Sequence, residues 1–261
     1  MPNADHEKNR AAWNDMVRVH YDHPDYKLKE FLSGWNSLKE IERTEVGDVA
    51  GKKLLHLMCQ FGMDTLSWMR LGAEVTGVDI SDESIKYAEQ LKKDAGLEAA
   101  KFIRSDVLDL NGKLDEKFDI IFQSHGTHCW LSDLNKWAEV IAAHLNPGGF
   151  FYIVDGHPIT VIYETEDMTY LDKQPERYTN VPDYCDREFI VEKERVEWQH
   201  PLSEIINCLI KAGLTLEFVN EFDKGYYAVE EDWYRVGDYW YPPDGPPRYP
   251  LLFSLKAVNK I

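Results

Sequence analysis

Three histidines and two aspartates stand where this chain could do chemistry. The run Ser124-His125-Gly126-Thr127-His128-Cys129-Trp130 carries His125 and His128, and Asp155-Gly156-His157-Pro158 carries His157. Histidine titrates near neutral pH, so any of the three could take a proton from a hydroxyl. They could equally shape a pocket through hydrogen bonds alone. Asp79 closes the apolar stretch Ala73-Glu74-Val75-Thr76-Gly77-Val78-Asp79-Ile80. A carboxylate there can accept both hydroxyls of a ribose through charge-assisted bonds, or serve as an ordinary turn acid. Asp106 closes a similar stretch, Lys101–Val107. A metal set of His125, His128, Cys129 and His157 is disfavoured, because adjacent ligands are awkward and no C-x-x-C pair supports them. No metal is expected.

These residues need elements to position them. Lys52 to Leu66 reads as a buried strand, a tight turn at Gly62 and the start of a helix. The strand ending at Asp79 follows. Strand, turn, helix, strand and terminal acid make a nucleotide-binding half-fold, with helix N–H groups free beside the turn. Asp64 to Leu71 is a helix closed by Gly72, and Ser81 caps a second helix that Gly96 ends. Further strands are expected at Lys101–Val107, at Phe118–Ser124 with an unbroken apolar run, and at Phe150–Asp155. A helix from Asp133 to Leu145 lies between the last two. The alternation implies a parallel sheet with helices on both faces. Ligands then sit beyond the carboxyl ends of the strands. The first three ends, at Met58–Gly62, Asp79–Ile80 and Asp106–Val107, should line a cofactor. The next two, at Gln123–Trp130 and Asp155–Pro158, should face a substrate. His56 lies within an apolar strand and reads as a core histidine or a cofactor contact.

A dinucleotide site needs G-x-G-x-x-G so that a pyrophosphate can meet bare backbone. Here His56, Met58 and Gln60 stand where small residues would be expected, and Gly62 remains. A cofactor with an amino-acid tail and an adenosine asks less of the loop. On the strand–turn–helix at 52–66 and the acid Asp79, the chain resembles the class I S-adenosylmethionine-dependent methyltransferases, from about Val46 onward. It departs from them in the first motif, which normally has an acid at the position of His56 and glycines at those of Met58 and Gln60. The resemblance implies an α/β fold: a doubly wound, mostly parallel seven-stranded sheet whose last strand inserts antiparallel beside its predecessor. The ending here fits it: a helix at Leu202–Ala212, a strand at Leu214–Val219, an aromatic loop at Tyr226–Pro250 and a strand at Leu251–Val258. The resemblance also implies S-adenosyl-L-methionine as cofactor, lined by His56, Met58, Cys59, Gly62, Asp79, Ile80, Asp106, Val107 and Ser124. Ile80 would lie along the adenine, Asp106 would accept from its amino group, and the Val107 N–H would reach a ring nitrogen. His125, His128 and His157 are the candidates for catalysis.

Residues 1–45 precede the core as a helical cap, with helical spacing at 9–17 and again from Phe31 to Ile41. This cap could close over the cofactor and bring Trp13 or Tyr21 to the pocket wall. Residues 46–261 form the methyltransferase domain, with insertions near 156–200 and 223–250 that shape the substrate side. A strand is plausible at Arg187–Glu192. The formal net charge of −17 argues against a nucleic-acid partner and against an anionic membrane surface. No apolar run is long enough to span a bilayer. Cys59, Cys129, Cys185 and Cys208 are widely separated, which fits free thiols in the cytoplasm. The expected activity is methyl transfer to oxygen or nitrogen of a small molecule. A cofactor-binding protein without turnover, or a nicotinamide-dependent oxidoreductase, stays open on the sequence. Acceptor identity and oligomeric state are not legible.

Overall fold

The computed structural model describes residues 3–161, 169–171, 173–228 and 232–260. Parts of both insertions, 162–168, 172 and 229–231, therefore lie outside the described residues. In chain order the elements begin with α1 (Ala4–Asp22), α2 (Leu28–Leu32) and α3 (Glu40–Val46). The alternating core follows: β1 (Lys53–Leu57), α4 (Met63–Arg70), β2 (Glu74–Asp79), α5 (Asp82–Asp94), β3 (Lys101–Arg104), β4 (Phe118–Ser124), α6 (Leu134–His144) and β5 (Leu145–Gly156). Short strands β6 (Glu176–Tyr178), β7 (Val181–Pro182), β8 (Ile190–Val191) and β9 (Arg195–Glu197) form two small ribbons. The chain ends with α7 (Leu202–Lys211), β10 (Thr215–Phe222), the hairpin β11 (Tyr234–Val236) and β12 (Tyr239–Tyr241), and β13 (Leu252–Val258).

Seven strands form one sheet in the order β10-β13-β5-β4-β1-β2-β3. The pairs from β5 to β3 are parallel, and β13 pairs antiparallel with both β5 and β10. This is the expected mostly parallel sheet with an inserted antiparallel last strand. Apolar side chains cover both faces, as a sheet wrapped by helices requires. Trp137 and Ile141 of α6 and Ile205 and Leu209 of α7 pack on one face. Val17, Phe31, Ile41, Leu66, Trp68 and Leu91 pack on the other.

Three local readings are corrected. The first cap helix is longer than 9–17, because the Asn3 side chain accepts from the Asp5 N–H and starts α1 at Ala4. The single helical segment from Phe31 to Ile41 is two short helices. Gly34 between them takes φ of 106°, which ends α2 and lets the chain turn before α3. The strand expected at Arg187–Glu192 shrinks to the two residues of β8.

Candidate active site

The turn after β1 keeps a glycine-loop backbone without the glycines. Met58, Gln60 and Gly62 take φ of 55°, 50° and 77°. Left-handed backbone costs a non-glycine residue about 1–2 kcal/mol, so contacts must hold it there. They are visible at Gln60. Its N–H donates to Asp79 Oδ2 at 2.9 Å, and its side-chain amide lies 3.1 Å from His20 Nδ1 and donates to the Tyr26 hydroxyl at 3.1 Å. Gly62 is required for space as well, since a Cβ there would meet the Phe102 ring at 2.5 Å.

Asp79 ends β2 with both oxygens engaged once: Oδ2 by Gln60 N–H and Oδ1 by Ser81 N–H at 2.8 Å. A carboxylate has about four acceptor positions, so each oxygen keeps capacity for a further hydroxyl. Burial raises its pKa to about 6. At the end of β3, Asp106 Oδ1 accepts from Leu108 N–H at 2.9 Å, while Oδ2 lies 2.5 Å from His6 Nδ1. Val107 is buried in the turn that follows, Ile80 is half-buried at the end of β2, and Ser124 is buried at the end of β4. Met58 packs against the core face that carries α6. The Cys59 N–H donates to Val78 O, and burial keeps its thiol protonated. His56 sits in the core. Its Nδ1 is 2.8 Å from Thr65 Oγ1, its ring packs edge-on to Phe122, and burial lowers its pKa to about 4.

Helix α1 crosses all three of these turns. His6 meets Asp106. Asn14 Oδ1 accepts from Ser81 Oγ at 2.7 Å, and His20 meets Gln60. Fourteen residues of helix rise about 21 Å, enough to cross three neighbouring strands. His6, Trp13 and His20 recur every seven residues and so share a stripe. Trp13 packs edge-on to Trp130, which joins this stripe to the end of β4. Tyr21 stacks on Tyr87 within the core instead. His20 is fully buried, with Nε2 at 2.9 and 3.0 Å from the two oxygens of Asp183. His6, Asn14 and His20 escaped the sequence reading, although the seven-residue stripe was there to be read. A cleft of about 330 Å³ opens beside Asp106, lined by Asn3, Leu108, Ser132 and Lys136. Another of similar volume lies around Lys53, Glu74 and Glu116, at the opposite ends of the strands and away from this chemistry.

The ends of β4 and β5 hold the histidines. Asp155 is fully buried and accepts six bonds: from the N–H groups of Gly126 (2.5 Å), Thr127 (2.9 Å), His128 (3.1 Å) and Gly156 (2.7 Å), from Thr127 Oγ1 (3.0 Å), and from His128 Nδ1 (3.0 Å). Burial opposes its charge, but the His128 ring and these N–H groups hold its carboxyl well below the usual range. His157 has one hydrogen bond and one ion contact within the fold. Nδ1 accepts from Ile159 N–H at 3.1 Å, and Nε2 lies 2.9 Å from Glu221. His125 takes φ of 55° and contacts the fully buried Glu42 of α3, with the Tyr226 ring perpendicular to it at 3.7 Å. Glu42 is a second residue the sequence reading missed, because its helix is brought to the site only by packing. The described residues near His125, His128 and His157 hold no cluster of metal-ligating groups; those found lie at His20, Asp183 and Cys185 and at His23, Asp25 and Cys185.

Residues 55–153 match the family model described as a methyltransferase domain. A methyltransferase from Mesorhizobium loti shares 19% identity over 87% of this chain and 99% of its own, with a TM-score of 0.55. One from Clostridium acetobutylicum shares 16% over 97% of this chain and 98% of its own, with a TM-score of 0.57. Both are described as S-adenosylmethionine-dependent. The glycopeptide N-methyltransferase MtfA aligns at 18% identity over 82% and 86% of the two chains, with a TM-score of 0.54. None of the curated proteins compared matches the chain. The domain match over residues 55–153 and the sheet order together give this chain the fold of the class I, S-adenosylmethionine-dependent methyltransferases. The residues fit that cofactor. Asp79 keeps acceptor capacity for a ribose diol, and the turn after β1 has glycine-loop geometry despite Met58 and Gln60.

Proposed function

We propose that the chain methylates an oxygen or nitrogen of a small molecule, with His128 as general base. One observation carries this reading: His128 Nδ1 lies 3.0 Å from the ionised Asp155, while the imidazole side chain is 12% exposed. The contact fixes the tautomer with the proton on Nδ1, so Nε2 keeps a lone pair for the acceptor's proton. Asp79, Asp106 and the turn at Met58–Gly62 would hold the cofactor, with Ile80, Val107, Cys59 and Ser124 around it. When bound, S-adenosylmethionine supplies a methyl carbon whose bond to sulfur breaks as the acceptor's lone pair takes it, the electron pair returning to sulfur. His128 removes the acceptor's proton, Asp155 steadies the imidazolium that results, and the packed strand ends align the acceptor.

His157 holds the turn after β5, and His56 belongs to the core rather than to the cofactor. Residues 1–45 act as the cap, and the chain from 46 as the catalytic domain. The net charge of −17 supports an acceptor other than nucleic acid. No described helix is long and apolar enough to cross a membrane, and the four cysteines are unpaired, which supports a cytoplasmic setting. The test is His128→Gln against a panel of hydroxyl and amine acceptors. Turnover should drop about 10²–10⁴-fold with S-adenosylhomocysteine affinity unchanged. An unchanged rate on an acceptor that the wild type methylates would remove His128 as base.

A further inference from the structure

Two segments far apart in the chain meet where α1 ends. His20 of α1 and Asp183 are buried against each other, and Asp183 Oδ1 also accepts from the N–H groups of Cys185 at 2.8 Å and Asp186 at 3.1 Å. The Tyr26 and Tyr184 hydroxyls lie 2.9 Å apart. These bonds fix Cys185 beside the helical turn Pro24–Tyr26 that follows α1. The turn presents His23 and Asp25 together, since His23 caps it and Pro24 presets its first residue. A donor atom from each of His23, Asp25 and Cys185 lies within 4.8 Å of the other two. Unlike the buried pair behind it, this triad is open. The Cys185 thiol is free and half-buried. His23 Nδ1 accepts one long hydrogen bond, from Asp25 N–H at 3.4 Å, and the Asp25 carboxylate approaches it only to 3.7 Å. The His23 side chain is 24% exposed and that of Asp25 80%. Ligands of one tetrahedral ion stand about 3–4 Å apart, so small rotations of these side chains bring the donors into range. The carboxylates of Asp183, Asp25 and Asp186 lie near the thiol, and their charge favours a cation there.

We infer that His23, Asp25 and Cys185 form a surface site for a divalent metal ion. Zinc suits this mixture of nitrogen, oxygen and sulfur donors. The thiol gives its proton to solvent as the sulfur–metal bond forms, and water completes the coordination. The ion joins the end of α1 to the segment 183–186. It thereby backs His20, which meets Gln60 in the turn after β1. Sequence spacing conceals the site, because His23 and Cys185 flank the whole parallel part of the sheet in the chain. The site is independent of the acceptor and of the base.

The test titrates the reduced full chain, freed of metal by a chelator, with zinc in calorimetry and with cobalt(II) in absorption. Zinc should bind with micromolar or tighter affinity. Cobalt should produce the thiolate-to-metal charge-transfer band that marks a bound cysteine. Cys185→Ser should abolish that band, and Cys185→Ser and His23→Ala should each weaken zinc about tenfold or more. Saturating zinc should raise the melting temperature of the wild type but not of Cys185→Ser. Absence of zinc binding overturns the site, and so does a cobalt band that survives Cys185→Ser or a zinc affinity unchanged in His23→Ala. Asp25→Ala alters an exposed side chain, so it decides if another variant fails to fold: zinc should weaken several-fold, and an unchanged affinity there also overturns the site.

Discussion

Asp79 and Asp155 are both buried carboxylates at the carboxyl ends of parallel strands of one sheet, β2 and β5, yet their surroundings pull them in opposite directions. Asp79 receives one N–H on each oxygen, and burial dominates, raising its pKa to about 6. Asp155 receives six donors, and they overcome the same burial. A carboxylate left partly satisfied keeps room for a ligand. A saturated one belongs to the scaffold, and here it ties the β4 turn to β5 and orients His128. The contrast separates a binding group from a positioning group more sharply than burial does.

The hardest blow to this contrast should come at Asp155. Asp155→Ala strands six donors, five of them on the single segment Gly126–His128, and should destabilise the protein by about 3–5 kcal/mol in urea unfolding. Loss of under about 1 kcal/mol would mean that the turn is held by something else. Asp79→Ala should instead act on ligand binding, weakening S-adenosylmethionine about a hundredfold in calorimetry. Equal loss of stability in both variants would erase the distinction.

Titration should sharpen it next. In the free protein the proton on Asp79 leaves near pH 6, so cofactor affinity should decline as pH falls through that value. Stability follows linkage: between the unfolded value of 3.8 and about 6 the folded state holds more protons at Asp79, so this group's contribution falls as pH rises. Asp155 has the opposite sign, since its lowered pKa gives stability at neutral pH that is lost in acid, below its unfolded value of 3.8. His56 and the buried His200, each near 4 in the folded state, stay neutral while the unfolded chain takes up protons, so their contribution to stability is lost as pH falls from 6.5 toward 4. Acid unfolding followed by circular dichroism should therefore begin well above the range in which Asp155 titrates. The smallest effect is expected at Met58→Gly. Relief of left-handed strain is nearly offset by the added freedom of the unfolded chain, so stability should move by less than about 1 kcal/mol.

The placement of the residues at the first three strand ends was legible because strand ends are set by local pattern. Gly62, Asp79 and Asp106 follow once apolar runs and their terminal acids are recognised. The conformation of the first turn was not legible. Met58 and Gln60 both occupy glycine geometry, and Gln60 is held there by bonds to Asp79, His20 and Tyr26, partners 19 to 40 residues away. The ends of β4 and β5 were legible only in part. His125, His128 and His157 were found together, but their different partners, Glu42, Asp155 and Glu221, come from α3, β5 and β10. Only packing assigns one histidine to each acid. The split of the second cap helix turned on Gly34, a residue that helical spacing passes over.

The contacts along α1 have a consequence for the pace of the proposed reaction. His6, Asn14 and His20 fasten one helix to the three turns proposed to hold the cofactor. On the proposed cofactor site, exchange of spent cofactor would have to loosen at least one of these contacts, so the hold of α1 on the turns would set a limit on the pace of turnover.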